Sequence, residues 1–200
     1  MFHSDAKQDQ FAANMLGFKK DGYYVDIGSC GPIGSNNSYY FESLGWNGIC
    51  VEIESSYNPQ YVQARRTCNY INDNALNLDY RKIFEDNNYP KEIDYLSVDI
   101  DELSYDALTK LPHDEYKFKV ITIEHDVYLR DPEFKRKQKE FLHGKGYFLI
   151  CENVYVEQNG YYGKQLPFED WWIHPEFFEE ELINKIKSDN MLPSEIITKF

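Results

Sequence analysis

The chain has 200 residues and a formal net charge of −13 at pH 7. That length suits one domain around a single core, and a field of that sign repels nucleic-acid phosphates and anionic membranes, so neither partner is expected. No run of 18 apolar residues is present, and the start, Met1-Phe2-His3-Ser4-Asp5-Ala6-Lys7, lacks the basic and apolar stretches of a secretion signal. A soluble cytoplasmic protein without a membrane span is therefore expected. The four cysteines, Cys30, Cys50, Cys68 and Cys151, form no Cys-x-x-Cys pair and have no histidine at zinc-ligand spacing, as befits reduced intracellular thiols.

Strands alternate with helices along the chain. Apolar spacing predicts a helix over 5–18, a strand over 23–27 and a glycine-rich turn, then a helix over 37–44, a strand over 48–53, a helix over 59–66 and a short strand over 69–71. The second half reads as a strand over 93–100, a helix over 105–111 stopped by Pro112, and a strand over 119–124. Asp131 as N-cap and Pro132 in the first turn then open a helix that runs to 142. This helix carries the basic run Lys135-Arg136-Lys137-Gln138-Lys139, which reads as a solvated face. Strands over 146–151 and 154–156 and a closing helix over 175–187 complete the chain. The alternation predicts a single α/β domain over 1–200, with a mostly parallel sheet covered by helices on both faces.

Sheets of this kind bind ligands beyond the carboxyl ends of their strands, near the point where strand order reverses. The residues expected there are Asp26, Glu52, Asp99, Asp101, Glu124, His125 and Asp126. Nearly every predicted strand ends in an acid, which a purely structural sheet does not need.

The strongest local signal is Val25-Asp26-Ile27-Gly28-Ser29-Cys30-Gly31-Pro32-Ile33-Gly34, a strand that runs into three glycines and a helix. Dinucleotides and S-adenosylmethionine (AdoMet) both use such a turn. AdoMet is favoured for three reasons. The Asp26 carboxylate repels a pyrophosphate but attracts a cationic amino group. Pro32 removes an N–H that a phosphate cradle uses. The spacing is Gly-x-x-Gly-x-x-Gly and not the dinucleotide Gly-x-Gly-x-x-Gly. Glu52, 24 residues after Gly28, can accept hydrogen bonds from both ribose hydroxyls. Asp73-Asn74-Ala75 follows the third strand, where an acid or amide can meet the adenine amino group.

The sequence resembles the FkbM-type methyltransferases, a branch of the class I AdoMet-dependent enzymes. The resemblance lies in Asp5-Ala6-Lys7-Gln8-Asp9-Gln10-Phe11, Gly22-Tyr23-Tyr24-Val25-Asp26-Ile27-Gly28, Ser35-Asn36-Asn37-Ser38-Tyr39-Tyr40-Phe41-Glu42 and Leu44-Gly45-Trp46-Asn47-Gly48-Ile49-Cys50-Val51-Glu52. It continues through Asp94-Tyr95-Leu96-Ser97-Val98-Asp99-Ile100-Asp101, Ile121-Thr122-Ile123-Glu124-His125 and Pro167-Phe168-Glu169-Asp170-Trp171-Trp172, and so covers nearly the whole chain. Two positions depart from the family: Ser29-Cys30-Gly31-Pro32 stands where an acid, Asn or Asp-Gly is usual, and Ile53 stands where a proline is usual. The resemblance implies a seven-stranded, Rossmann-like class I sheet. It places Asp26, Gly28 and Asn37 at the methionine end of AdoMet and Glu52 at the ribose. Gln8, Ser29, Gly31, Ser38 and Asp99 are expected in the same cofactor site, with Asp73, Asn74 and Ala75 at the adenine.

It also implies a carbohydrate acceptor, a glycan or deoxysugar such as rhamnose, and a module of a longer polypeptide. A sugar hydroxyl becomes nucleophilic only when a base or a metal takes its proton or lowers its pKa. Hard oxygen donors suit Mg²⁺ or Mn²⁺, and related sugar O-methyltransferases hold such an ion with acids at these strand ends. Asp99 and Glu124 are the expected metal ligands, with Asp126 as a further candidate, and His125 or Asp101 is the expected base. The structural alternative is that Asp101 caps the next helix. Trp171 and Trp172 are expected to wall the sugar, with at least one of them in the core. Asn153, Tyr161 and Tyr162 are expected at a substrate loop that turns at Asn159-Gly160. Three competing readings remain: a methyltransferase for a non-sugar acceptor, a NAD-dependent oxidoreductase, and a non-catalytic relative.

Overall fold

The computed structural model describes residues 1–64, 66–129, 131–156 and 166–200. Eight strands form one sheet: β1 (Tyr23–Ile27), β2 (Asn47–Glu52), β3 (Asn69–Asn72), β4 (Glu92–Val98), β5 (Lys117–Glu124), β6 (Phe148–Tyr155), β7 (Pro167–Ile173) and β8 (Ser188–Asp189). Their order is β3-β2-β1-β4-β5-β7-β6-β8. The first five strands are mutually parallel, β7 runs antiparallel between β5 and β6, and β8 lies parallel to β6. Strand order reverses between β1 and β4, which puts the crevice at the carboxyl ends of these two strands.

The helices are α1 (Gln8–Met15), α2 (Tyr39–Glu42), α3 (Asn58–Ala64), α4 (Tyr80–Asp86), α5 (Ser104–Lys110), α6 (Pro132–Gly144), α7 (Glu180–Ile186) and α8 (Pro193–Ile197). Among the described residues none is long and apolar enough to cross a membrane. All four cysteines are free thiols.

The core has two layers, because parallel strands buried on both faces send alternate side chains to opposite sides. Val25, Ile27, Leu96, Val98, Ile121 and Ile123 pack on one face with Phe84 of α4 and Trp172. Tyr24, Tyr95 and Val120 pack on the other with Phe11 of α1, Phe41 of α2 and Trp171.

Several features differ from the sequence expectation, among them α8 and the shorter α7 (Glu180–Ile186) in place of one closing helix over 175–187. The sheet has eight strands, because the short β8 adds to the β6 edge. The strand expected over 154–156 is the end of β6. The Trp171-Trp172 pair lies within β7 itself. Finally, α4 intervenes between β3 and β4, N-capped by Asp79, whose Oδ1 accepts from the Lys82 N–H at 3.1 Å. Its apolar face is Tyr80, Ile83 and Phe84, about one turn long, too short a stripe to stand out in the sequence.

Candidate active site

β1 ends at a backbone position that only glycine fits. Gly28 has φ +83, and a Cβ there would lie 1.9 Å from the Asp99 carbonyl oxygen, so the two central strands approach at this point without a side chain between them. The other glycines of the loop behave differently. A Cβ on Gly31 would meet only the Tyr57 ring, at 3.7 Å, and one on Gly34 nothing within 4 Å. The left-handed positions in this stretch besides Gly28 are Cys30 and Ser35. Side chains hold the loop in shape: the Asn36 amide donates to the carbonyls of Ser29 (2.8 Å) and Gly31 (3.0 Å), and the Tyr61 hydroxyl donates to Ser29 Oγ (2.9 Å). Ser29 therefore faces inward against Tyr61, and Gly31 offers its carbonyl to Asn36. Neither lines the cavity described next, which corrects their expected contact with the cofactor.

Beyond β1, β2 and β4 lies a cavity of about 360 Å³. Six residues expected to bind cofactor line it: Gly28, Glu52, Asp73, Asn74, Ala75 and Asp99. Glu52 ends β2 and is itself held by the backbone, its Oε2 accepting from the Cys30 N–H and its Oε1 from the Glu54 N–H, both at 2.8 Å. Each oxygen keeps lone-pair capacity for a further donor. Ile53 and Leu103 also line the cavity and are 61% and 41% exposed. They give apolar surface beside the acid, suited to a planar base. Sequence reasoning missed them as site residues, although an isoleucine just after a strand-end acid was a usable signal.

Asp26 lies two residues before Gly28, on the same side of β1, and is fully buried. Its Oδ2 accepts from Ser38 Oγ at 2.6 Å, while its Oδ1 makes no hydrogen bond among the described residues. Burial pushes its pKa up to about 6, against the lowering effect of the Ser38 hydroxyl. Ser38 thus supports Asp26. Asn37 donates to Ser97 Oγ at 3.0 Å, beside the same strand pair. Gln8 reaches elsewhere: its Nε2 donates to Glu169 Oε2 of β7 at 3.3 Å and its Oε1 accepts from the Ala6 N–H at 3.0 Å, so it braces the start of the chain against β7 away from the cavity lining.

The carboxyl ends of β4 and β5 carry a second acidic group. Asp101, Glu124 and Asp126 can bring one oxygen each within 4.8 Å of one another. Asp101 has φ +53, and its N–H donates to Glu124 Oε2 at 2.9 Å. Neither the short turn at Asp101–Leu103 nor α5 has a side-chain cap, which weighs against a capping role for Asp101. Asp99 is not a member of the three. It bonds the Glu124 side chain instead and, after burial, is the main cause that holds the Glu124 pKa far above the carboxylate range. The expected ligand trio of Asp99, Glu124 and Asp126 is thereby replaced by one in which Asp101 takes the place of Asp99.

His125 points the other way. Its side chain is fully buried, its Nδ1 accepts from the Val127 N–H at 3.3 Å, and its Nε2 lies 3.4 Å from Asp170 Oδ1. Burial would raise the Asp170 pKa, but His125 and Lys135, whose Nζ is 3.3 Å away, outweigh it and hold it low. A ring so enclosed does not offer a nitrogen to a substrate, which corrects the expectation of His125 as base. Beyond β5 the chain leaves the strand: the His125 and Asp126 N–H groups both donate to the Phe168 carbonyl at 3.1 Å and Asp126 has φ +45, so Glu124 and Asp126 come together while His125 lies against Asp170.

The two tryptophans expected at the acceptor are also corrected. Trp171 and Trp172 are both fully buried, on opposite faces of β7. Trp171 stacks on Phe11 at 4.2 Å and donates its Nε1–H to Glu169 Oε1 at 2.7 Å, while Trp172 meets His143 edge-on at 5.0 Å. Asn153 has φ +53 and ties the sheet edge together, its Oδ1 accepting from Lys135 Nζ at 2.5 Å and its Nδ2 donating to Asn190 Oδ1 at 3.1 Å. Tyr161, Tyr162 and the Asn159-Gly160 turn lie outside the described residues.

No family model matches the sequence, and no curated protein matches it. Solved structures do. A Klebsiella pneumoniae protein described as an O-methyltransferase aligns with a TM-score of 0.58 at 13% identity, over 84% of this chain and 80% of that one. A Pyrococcus horikoshii protein described as an RNA methyltransferase gives 0.55 at 15%, over 84% and 82%. The 1,6-didemethyltoxoflavin-N1-methyltransferase of Burkholderia thailandensis, solved with 1,6-didemethyltoxoflavin and S-adenosylhomocysteine, gives 0.52 at 11%, over 83% and 76%. The chain has the Rossmann-like fold of class I AdoMet-dependent methyltransferases.

Proposed function

We propose that the chain is an AdoMet-dependent O-methyltransferase of the FkbM type, with a sugar hydroxyl as acceptor. The observation that carries the cofactor is the buried Asp26 Oδ1, which makes no hydrogen bond among the described residues. An unpartnered buried carboxylate oxygen is costly unless a ligand satisfies it, and the amino group of AdoMet is a cation of the right sign. Asp26 then holds the methionine end, Glu52 the ribose, and Asp73 or Asn74 the adenine amino group, with Ile53 and Leu103 against the base. AdoMet, when bound, supplies an electrophilic methyl group. The chain's part is to align the acceptor with it and to take the hydroxyl proton. Asp101, the exposed member of the acidic trio, is the base in this reading. The net charge of −13 favours an uncharged acceptor over the RNA named for one structural neighbour.

Calorimetric titration with AdoMet, and with NAD in parallel, tests the cofactor; a screen of free and glycosidic sugars tests the acceptor. AdoMet binding without NAD binding, followed by methyl transfer to a sugar, is expected. NAD binding in place of AdoMet overturns the first half. Turnover on a phenol or peptide, with none on any sugar, overturns the second.

Three carboxylates with oxygens within 4.8 Å of one another repel one another when ionised, and need a proton or a cation between them. Their all-oxygen chemistry fits Mg²⁺ or Mn²⁺. Asp101, Glu124 and Asp126 would hold such an ion, which would lower the pKa of a hydroxyl beside it. Each carboxylate has two oxygens, so Asp101 can hold the ion with one and take the proton with the other. EDTA is expected to reduce turnover about a hundredfold or more, with recovery on adding Mn²⁺. Full turnover in EDTA removes the metal from the proposal and leaves Asp101 as a metal-free base.

A further inference from the structure

Arg66 follows α3, and its guanidinium is enclosed by the elements that shape the cofactor loop. Its side chain is 1% exposed. Nε donates to Glu42 Oε1 of α2 and Nη1 to the carbonyl of Pro32 in the loop, both at 2.5 Å. Nη2 reaches the Tyr24 hydroxyl of β1 at 3.3 Å and Cys50 Sγ of β2 at 3.6 Å. The guanidinium carbon sits 5.0 Å from the Tyr39 ring and 5.3 Å from the Tyr61 ring, and Tyr61 in turn holds Ser29. One side chain therefore grips the loop directly at Pro32 and, through Tyr61, at Ser29. Glu42 is braced for this role, accepting also from the Tyr24 hydroxyl and the Thr67 N–H, each at 3.0 Å.

We infer that Arg66 is a positioning residue of the cofactor site, locking the 28–38 loop to β1, β2, α2 and α3 so that Asp26 meets the cofactor's ammonium group. The inference rests on the AdoMet reading proposed above. A planar fork with five donors can make these contacts at once, and a lysine ammonium cannot. Arg66 has an electrostatic effect as well. The groups that act on Asp26 are Ser38 at the start of α2, Ser97 and Asp99 of β4 and its end, and Arg66; Cys50 of β2, Tyr61 of α3 and Tyr95 of β4 feel the charge of Asp26 in turn. Asp99 opposes ionisation of Asp26, and Arg66 favours it. Without the guanidinium, Asp26 takes up its proton at a higher pH and the cofactor loses its counter-charge.

The test is AdoMet titration calorimetry from pH 5 to 8 on the native chain, Arg66→Lys and Arg66→Met, with a thermal melt of each. Both variants are expected to bind AdoMet at least tenfold more weakly at pH 7, while the acceptor KM stays constant. Arg66→Met is also expected to shift the midpoint of the pH profile upward by about one unit, the effect of removing one nearby opposite charge. Arg66→Lys keeps the charge, and with it the native midpoint. Folded variants with native affinity and native midpoint overturn the inference. Should Arg66→Met fail to fold, Arg66→Lys decides through its affinity alone. A native chain that binds no AdoMet defeats the cofactor reading instead, and is told apart by that result.

Discussion

Asp26→Asn is expected to weaken AdoMet binding by about two to three orders of magnitude, the effect of leaving a buried charge without its partner, about 3–5 kcal/mol. Asparagine keeps the shape of the side chain and an acceptor for Ser38 Oγ, which bonds Asp26 at 2.6 Å, so the loss reports the charge and not the packing. The pH dependence follows from the Asp26 pKa of about 6. The ligand cation requires the ionised carboxylate, so affinity is constant well above pH 6 and falls about tenfold per unit below it. Stability moves the opposite way. The folded-state pKa lies above the ordinary aspartate value of 3.8, so the fold binds this proton more tightly than the unfolded chain does. The stability this group contributes is fully present below pH 3.8 and lost as pH rises through 6. At pH 7 the native chain thus carries a carboxylate that costs it stability and, in the proposed reading, serves the ligand, and Asp26→Asn is expected to melt no lower than the native protein. Titration calorimetry at pH 7.5 and pH 5, beside thermal melts, checks both halves. Native affinity in Asp26→Asn, or a flat pH profile in the native chain, removes Asp26 from the cofactor site.

Trp171→Ala is expected to cost about 3–5 kcal/mol of stability, the range for truncating a buried aromatic side chain. At about 2–4 °C per kcal/mol for a chain of this size, the Tm should fall by roughly 6–20 °C. Two losses combine. The Phe11 ring loses its stacking partner at 4.2 Å, and Glu169 loses the indole donor at 2.7 Å, which leaves Gln8 Nε2 at 3.3 Å as its side-chain donor among the described residues. Glu169 is itself buried, and that burial is the chief cause that pushes its pKa up, against the lowering effect of the Trp171 and Gln8 donors; a donor lost there is not replaced by water. At temperatures where the variant is folded, AdoMet affinity and acceptor KM should be those of the native chain. An unchanged Tm with a raised acceptor KM would restore Trp171 to the wall of a sugar site.

Much of the fold was legible because parallel strands buried on both faces are near-continuous apolar runs. Tyr23-Tyr24-Val25-Asp26-Ile27 and Ile93-Asp94-Tyr95-Leu96-Ser97-Val98 stand out, and their interruptions are informative in themselves: Asp94 is buried and paired with Lys19 and Lys119, whereas Asp26 Oδ1 has no partner among the described residues. β7 was harder to see. Glu169 and Asp170 break its apolar pattern, and they are tolerated because Gln8, His125 and Lys135 reach them from other elements and the Trp171 indole donates to Glu169 from within β7.

The sequence by itself determined the alternation of strands and helices, the position of the acids at the strand ends, and the need for glycine at position 28, since these follow from local periodicity and backbone sterics. Only the tertiary structure decided which way each side chain faces once the strands pair. The register of β5 with β7 sets Glu124 opposite Glu169, while the turn beyond β5, where the His125 and Asp126 N–H groups both donate to the Phe168 carbonyl, leaves His125 beside Asp170. Asp101, 23 residues before Glu124 in the chain, joins Glu124 and Asp126 because β4 and β5 are neighbours in the sheet. Trp171 and Trp172 become core because β7 is inserted between two other strands. Each of these outcomes depends on a pairing between distant segments, and a local pattern does not encode the identity of the partner strand.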